Sequence, residues 1–412
     1  MVPNKFLPSQ LGEIPTDWSR VKFSDVMSAR QGLQISISKR LKVPTKTSKE
    51  YITIQSIKKT EQVREYVEAP TKRVTCSKED VLMTRTGNTG IVVTDVEGAF
   101  HNNFFLMDFD RQQVDRDFLV NYLRSNRVQH LILTKAGAST IPDLNHKDFY
   151  SIEFPLAPLP EQRKIAKILS TWDKAISTTV RLIDNSKRQK KALMQQLLTG
   201  KKRLLDDSCK PFEGEWEEVK LSHFFERVME KNNGQSKNVV TISAQHGLIR
   251  QEEFFKKSVA SETLDNYFIL RKGQFAYNKS YSNGYPMGAI KRLNRYDDAV
   301  VTSLYICFEL KDEQLASSCF MEQFFESGLL NRGLTKVAAE GGRAHGLLNV
   351  KPADFMALSM AVPKINEQQK IASALTNAEQ EIDLLGKQLA DLKQEKKALM
   401  QKLLTGKRRV KT

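Results

Sequence analysis

The chain has 412 residues, 40% of them hydrophobic and 27% charged, the balance of a soluble globular protein with room for two ordinary domains. Lys and Arg outnumber Asp and Glu by 64 to 48, a net charge of +16, so a polyanionic partner is expected, nucleic acid ahead of an anionic membrane. No apolar run approaches ~18 residues, which argues against a membrane span, and the opening "MVPNKFLPSQLGEIPTDW" lacks the apolar core of a signal peptide.

Residues 1–157 have a mixed texture. "YITIQSI", "GIVVTDV" and "NFFLMDF" carry the β-branched and aromatic richness of strands. "RDFLVNYLRSNRVQHLIL" has helical spacing. Two polar, glycine-bearing loops interrupt them, "TRTGNTG" (Thr84–Gly90) and "KAGAST" (Lys135–Thr140). The region 158–205 reads as one long helix. Ile165, Leu169, Trp172, Ile176, Thr179, Ile183, Leu193 and Leu197 recur every three or four residues, the 3.5-residue period of a coiled-coil seam.

Residues 206–362 repeat the α+β texture, with strand-like "AVVTSLYICFEL" and "GAIKRL" and helical "SSCFMEQFFESGLLNRGL". Their polar loops are "YNKSYSNGYPMG" (Tyr277–Gly288) and "EGGRAHG" (340–346). The last region, 363–412, is a second long helix with the seam Ile371, Leu375, Ala378, Ile382, Leu385, Leu389, Leu392, Leu399 and Leu403. Lys190 and Lys396 fall in the same seam slot of the two helices. Asn366 with Gln369 resembles a capping box, Pro160 suits a first turn, and Gly200 and Gly406 fit C-terminal caps.

The two helices are copies. "EQRKIAKIL" from Glu161 matches "EQQKIASAL" from Glu367, and "KALMQQLLTGKKR" matches "KALMQKLLTGKRR", at one constant offset of 206 positions, the separation of Glu161 from Glu367. About 38 residues at ~1.5 Å rise give a rod of roughly 57 Å. A duplicated pair with matched seams is expected to pack antiparallel about a pseudo-twofold axis. The heads are more distant relatives. "DWSRVKFSDV" answers "EWEEVKLSHF", and "DFYSIEFPLAPLPEQ" answers "DFMALSMAVPKINEQ", while the interiors differ. The order is head, rod, head, rod.

Arg, Asn, Ser, Thr and Tyr set among glycines suit the reading of base edges: Arg bonds guanine and Asn adenine bidentately, and glycine admits close approach. Ordinary β-turns have the same composition. The candidate DNA contacts are Thr84, Arg85, Thr86, Asn88, Thr89, Lys135, Ser139 and Thr140 in the first head. In the second they are Asn278, Lys279, Ser280, Tyr281, Ser282, Asn283, Tyr285, Arg343 and His345. Most of the positive surplus lies in the helices. Their basic stretches (187–191, 201–203 and 407–409) are either solvated flanks or contacts to phosphate or an acidic partner.

No catalytic motif is present. There is no G-x-x-x-x-G-K-[ST] loop and no G-x-G-x-x-G, and no Asn or Asp precedes a Pro-Pro pair as an amino-methyltransferase would require. Cys76, Cys209, Cys307 and Cys319 form no C-x-x-C pair and the six histidines no ligand spacing, which favours a reducing cytoplasm and no bound metal.

The "PLPEQRKIA" and "EQQKIA" helix starts and the "LLTGK" helix ends closely resemble the specificity subunit of type I restriction–modification enzymes, over essentially the whole chain. "VLMTRTGNTG" and "FAYNKSYSNGYPMGAIKRL" look like recognition-domain types of that family. The resemblance implies two α+β target recognition domains joined by an antiparallel coiled coil, each reading half of a bipartite, asymmetric site in double-stranded DNA. It implies helices that set the spacer and dock two methyltransferase subunits, with two motor–nuclease subunits in the full complex. S-adenosylmethionine, ATP and Mg2+ would belong to those partners, none to this chain, in a bacterial or archaeal cytoplasm. A stand-alone DNA-binding regulator and a coiled-coil scaffold are the rival readings.

Overall fold

The computed structural model describes residues 6–9, 12–58, 64–138, 140–255, 263–338 and 348–411. The chain divides into two compact units, Met1–Val180 with Lys387–Thr412, and Arg181–Gly386. Each long helix is therefore shared between units rather than standing apart as a region of its own.

In the first unit, strands β1 (Met27–Gln31), β2 (Val81–Thr84), β3 (Val92–Val93) and β4 (Phe104–Phe109) form an antiparallel sheet in the order β1-β4-β2-β3. "VLMT" and "FFLM" are apolar without alternation because both faces are covered. Met83, Phe105 and Met107 meet Phe118, Leu119 and Tyr122, which come from helix α1 (Arg116–Arg124), followed by α2 (Asn126–Ala136). Leu82, Phe104 and Leu106 instead meet Ile52 and Phe100 of a second four-stranded sheet. Strand Ser19–Lys22 pairs with Glu153–Leu156 to close the head, and α3 (Leu159–Leu197) follows.

The second unit repeats this plan. Strands β5 (Phe225–Arg227), β6 (Phe275–Asn278), β7 (Ala289–Arg292) and β8 (Ile306–Leu310) run in the order β5-β8-β6-β7, the same connectivity as before. Helices α4 (Ser318–Glu326) and α5 (Asn331–Val337) cover one face. Strand Glu217–Lys220 pairs with Ser359–Val362, and α6 (Ile365–Leu403) follows. The heads part company on the far face: where the first has its second sheet, the other has a hairpin (Val240–Ser243 with Gly247–Arg250) and a strand pair (Phe268–Arg271 with Asp298–Val301).

The long helices follow the seam. Of its first-copy positions, Ile165, Leu169, Thr179 and Leu197 are buried, and Trp172, Ile176, Ile183 and Leu193 are half-buried. In the second copy Ile371, Leu375 and Leu403 are buried, and Ala378, Ile382, Leu385, Leu389, Leu392 and Leu399 are half-buried. Leu384, outside the seam, is 68% exposed. In the first unit Ile165 and Leu169 share a core with Leu403 and Leu404. In the second, Ile371 and Leu375 share one with Leu197 and Leu198. Start meets end in each, so the halves run antiparallel within each unit. The seam lysines pair with acids: Lys396 Nζ lies 2.6 Å from Asp173 Oδ1, and Lys190 Nζ 3.1 Å from Glu379 Oε2.

Gly200 and Gly406 end the helices in the left-handed region, at φ 68° and 66°, as C-terminal caps do. A Cβ on Gly406 would also sit 2.3 Å from Pro15 Cγ, so no other residue fits there without displacement. Three local expectations are corrected. Helix α6 starts at Ile365, so Asn366 lies inside the first turn and forms no capping box with Gln369. "YITIQSI" is a strand only to Ile52 and then turns into helix Ile54–Lys58, because Thr53 Oγ1 accepts the Ser56 N–H at 3.1 Å and starts a helical turn. Lys135 belongs to α2, not to a loop, and its Nζ donates to Ser151 Oγ at 2.8 Å. No helix among the described residues is long and apolar enough to cross a membrane.

Candidate nucleic-acid interface

The first candidate loop joins β2 to β3 and is braced by its own polar side chains. Thr84 is buried; its hydroxyl donates to the Asn88 carbonyl and accepts the Ile91 N–H at 2.9 Å. Thr89, also buried, donates to the carbonyls of Arg85 at 3.0 Å and Pro142 at 2.8 Å. Arg85 Nη2 donates to both oxygens of Asp143, at 2.9 and 2.8 Å, its Nε donates to the Leu144 carbonyl at 3.3 Å, and Thr86 donates to Asp143 Oδ1 at 2.5 Å. Arg85, Thr86 and Thr89 hold the loop against residues 142–144, and Thr84 closes it on itself, rather than reaching outward. With Nη2 on the carboxylate and Nε on a carbonyl, no two-nitrogen fork of this guanidinium is left for guanine.

What remains outward is the tip. Asn88 is exposed, next to Gly87 at φ 81°, and Thr140 is exposed close in sequence to the Asp143 that braces the loop. The two sequence-predicted loops of this head therefore converge at residues 86–88 and 140–143. Ser139 lies outside the described residues. Asp143, which organises the loop, carries no sequence signal beyond a "PD" turn.

The second loop is a hairpin between β6 and β7, with Asn278 opposite Ala289. Its tip is a tight turn in which the Tyr285 N–H donates to the Ser282 carbonyl at 2.8 Å and Gly284 takes φ 84°, the third turn position, where a positive φ calls for glycine. Tyr281 is 64% exposed and Asn283 is exposed. Lys279, Ser280 and Ser282 are half-buried, and Asn278 Oδ1 accepts the Ser280 N–H at 3.0 Å.

Tyr285 faces inward. Its hydroxyl donates to Glu326, which also takes Lys291 Nζ at 2.5 Å. Burial first, then the hydrogen bond to Glu326, pushes its phenol well above the usual range, so it stays a neutral donor. Tyr277 stacks on Phe355 at 5.0 Å and donates to the Met287 carbonyl at 2.8 Å. A Cβ on Gly288 (φ 79°) would meet the Asn278 carbonyl at 2.2 Å. Arg343 and His345 lie outside the described residues.

Each head is locked to the helices by the Glu–Gln pair that opens each rod. Gln162 Oε1 accepts the N–H of Asp115 at 2.9 Å, and Gln368 Oε1 that of Ser317 at 3.0 Å. Asp115 and Ser317 are the N-caps of α1 and α4. Gln162 also donates to the Ala157 carbonyl at 2.8 Å and Gln368 to that of Pro363 at 2.9 Å. The glutamates take arginines from the other rod's tail. Arg409 Nε meets Glu161 Oε1 at 2.7 Å, and Arg203 Nε meets Glu367 Oε1 at 2.6 Å. Trp18 Nε1 adds a bond to Glu161 at 3.1 Å. The basic tails are thus in part structural: Arg203 and Arg409 hold heads.

A family model described as the type I restriction modification DNA specificity domain matches residues 15–185. The chain is similar to the type I restriction enzyme MjaVIII specificity subunit of Methanocaldococcus jannaschii, 24% identical over 97% of this chain and 94% of that protein. It is also 24% identical to the putative type I restriction enzyme MjaX specificity subunit of the same organism, over 99% of this chain and 97% of that one. In fold it is similar to the S subunit of the type I restriction-modification system from M. genitalium. That likeness has a TM-score of 0.54 at 15% identity and covers 98% of this chain and 99% of that one.

Proposed function

We infer that this chain is the specificity subunit of a type I restriction–modification enzyme, a non-catalytic protein that selects the DNA sequence on which its partners act. One observation carries the reading. Two heads share the strand orders β1-β4-β2-β3 and β5-β8-β6-β7, are anchored by the same Glu–Gln device, and present different residues at their loop tips. A common mount with unlike readers is what an asymmetric two-part site needs.

Each head reads one half-site. Asn88 and Thr140 are the outward side chains of the first loop cluster, and Tyr281 and Asn283 those of the second. An asparagine can pair bidentately with adenine in the major groove, and hydroxyls serve base or phosphate. Each rod is 39 residues without interruption, roughly 58 Å at ~1.5 Å per residue. That suits a ruler for half-sites about one helical turn (~34 Å) apart. Spacer bases then act only through DNA shape.

The chain works with other subunits of its complex. Two methyltransferase subunits on the rods, and two motor–nuclease subunits beyond them, are the proposed set. S-adenosylmethionine, ATP and Mg2+ are assigned to those partners, and the cytoplasm is the proposed compartment. Long-read methylation mapping of cells carrying this chain with its methyltransferase tests the reading. A bipartite motif with an unspecified spacer, lost when the chain is deleted, is expected. Methylation unchanged by the deletion would overturn it.

A further inference from the structure

The basic run of each rod lines a cleft in its own unit. In the second unit Lys187, Lys190, Lys191, Met194 and Gln195 form one wall of a cleft of about 710 Å3. In the first, Lys393, Lys396, Lys397, Met400 and Gln401 form one wall of a smaller cleft of about 190 Å3. The second set is the first shifted by the 206-residue repeat, position for position. The opposite walls also correspond: the turn between α4 and α5 (325–331) in one, and Arg124–Asn126 between α1 and α2 in the other.

Each run contains two kinds of lysine. The seam lysines Lys190 and Lys396 are only 14% and 16% exposed and answer Glu379 and Asp173. Lys187 and Lys191, like Lys393 and Lys397, are exposed and have no ion pair among the described residues. They stand four apart on one helix face. Like charges at that spacing repel on a helix, so each side chain favours an anion of its own beside it.

The larger cleft adjoins the second loop, and the smaller one connects to the first through α2. Gly284, Tyr285 and Gly288 of the second loop line the larger one. The turn lining the smaller one leads into α2, whose Gln129 donates to the Gly90 carbonyl of the first loop at 2.8 Å. A strand whose base meets a loop tip runs its phosphates alongside.

Building on the reading as a DNA-recognition subunit, we propose that the two clefts hold backbone phosphates beside each half-site. Lys187 and Lys191 are the phosphate ligands in one and Lys393 and Lys397 in the other. Such contacts fix register without reading sequence.

The test is the salt dependence of binding by the complex of this chain with its methyltransferase, using a 40-base-pair duplex of arbitrary sequence. Each neutralised phosphate contributes about 0.9 to the slope of log affinity against log salt. K187Q/K191Q and K393Q/K397Q should therefore each reduce the slope by about 2, and the four substitutions together by about 4. K46Q/K237Q, two exposed lysines outside the clefts, is the control for net charge. An unchanged slope, or an equal loss in the control, overturns the assignment. So does loss of methyltransferase assembly at unchanged slope, which would make the clefts a protein-docking surface. If the unsubstituted complex binds no duplex, the DNA-recognition reading itself fails; if it binds and the variants keep its slope, only the phosphate sites fail.

Discussion

Arg409 forks onto Glu161, Nε to Oε1 at 2.7 Å and Nη2 to Oε2 at 2.8 Å, although 248 positions separate them in the chain. Arg203 repeats the fork on Glu367 at 2.6 and 2.7 Å. Glu161 and Glu367 are only 2% and 1% exposed. Removing one partner of a buried pair strands the other charge, at a cost of about 3–5 kcal/mol. R409A should lower the stability of the first unit by about 3 kcal/mol, toward the low end because the arginine is partly solvated. R203A should do the same to the second. Thermal unfolding resolved by Trp18 and Trp216 fluorescence checks it; a melt unchanged by either substitution would remove the clamp from the account.

Asp17 takes the rest of the Arg409 guanidinium, at 2.8 and 2.7 Å. The hydrogen bond from Arg409 holds its carboxyl below the usual range, with burial opposing. A depressed carboxylate contributes stability above its unfolded value of about 3.9 and loses it as pH falls through the lower folded value. D17N should thus be less stable than the parent at pH 7, and the difference should shrink as the pH falls below about 3.9 through the lower folded value. A gap that persists in acid would assign the effect to packing.

Leucines of the rod tails belong to head cores. Leu403 shares a cluster with Trp18 and Phe118, and Leu197 one with Phe224 and Phe320. Truncating a buried leucine costs about 2–5 kcal/mol. L403A should weaken the first unit and L197A the second, each leaving the other transition in place by calorimetry.

The loop residues separate into braces and tips. Arg85 and Tyr285 brace, so R85A and Y285F should lower stability and loosen recognition without giving a new specificity. Asn88 and Asn283 are tips. N88A and N283A should keep the parent melting temperature and each relax one position of one half-site, worth about 1–3 kcal/mol of discrimination. Competition binding with single-base variants of the site reads this directly. A tip variant that changes both halves would contradict one head per half-site.

Much of this was legible in the sequence because it rests on repetition and period. The seam positions from Ile165 to Leu403 all turn inward, since a 3.5-residue period leaves one face to bury. The glycine ends follow from left-handed caps. Less visible were contacts between residues far apart in sequence. Nothing local marks Asp143 as the brace of Arg85, nor Gln162 and Gln368 as acceptors for α1 and α4. The loop composition leaves direction open: Arg, Thr and Tyr among glycines suit base contacts and loop bracing equally, and Asp143 and Glu326 turn Arg85, Thr86 and Tyr285 inward. Asn366 misled because one earlier residue, Ile365, already joins the helix.

The most direct test exchanges the second head (206–362) for that of a specificity subunit with a known motif, leaving both rods intact, and maps the methylated sites. The account predicts that one half-site changes to that of the donor while the other half and the spacer stay as they were. A motif in which both halves change, or in which the spacer moves with the head, would contradict it.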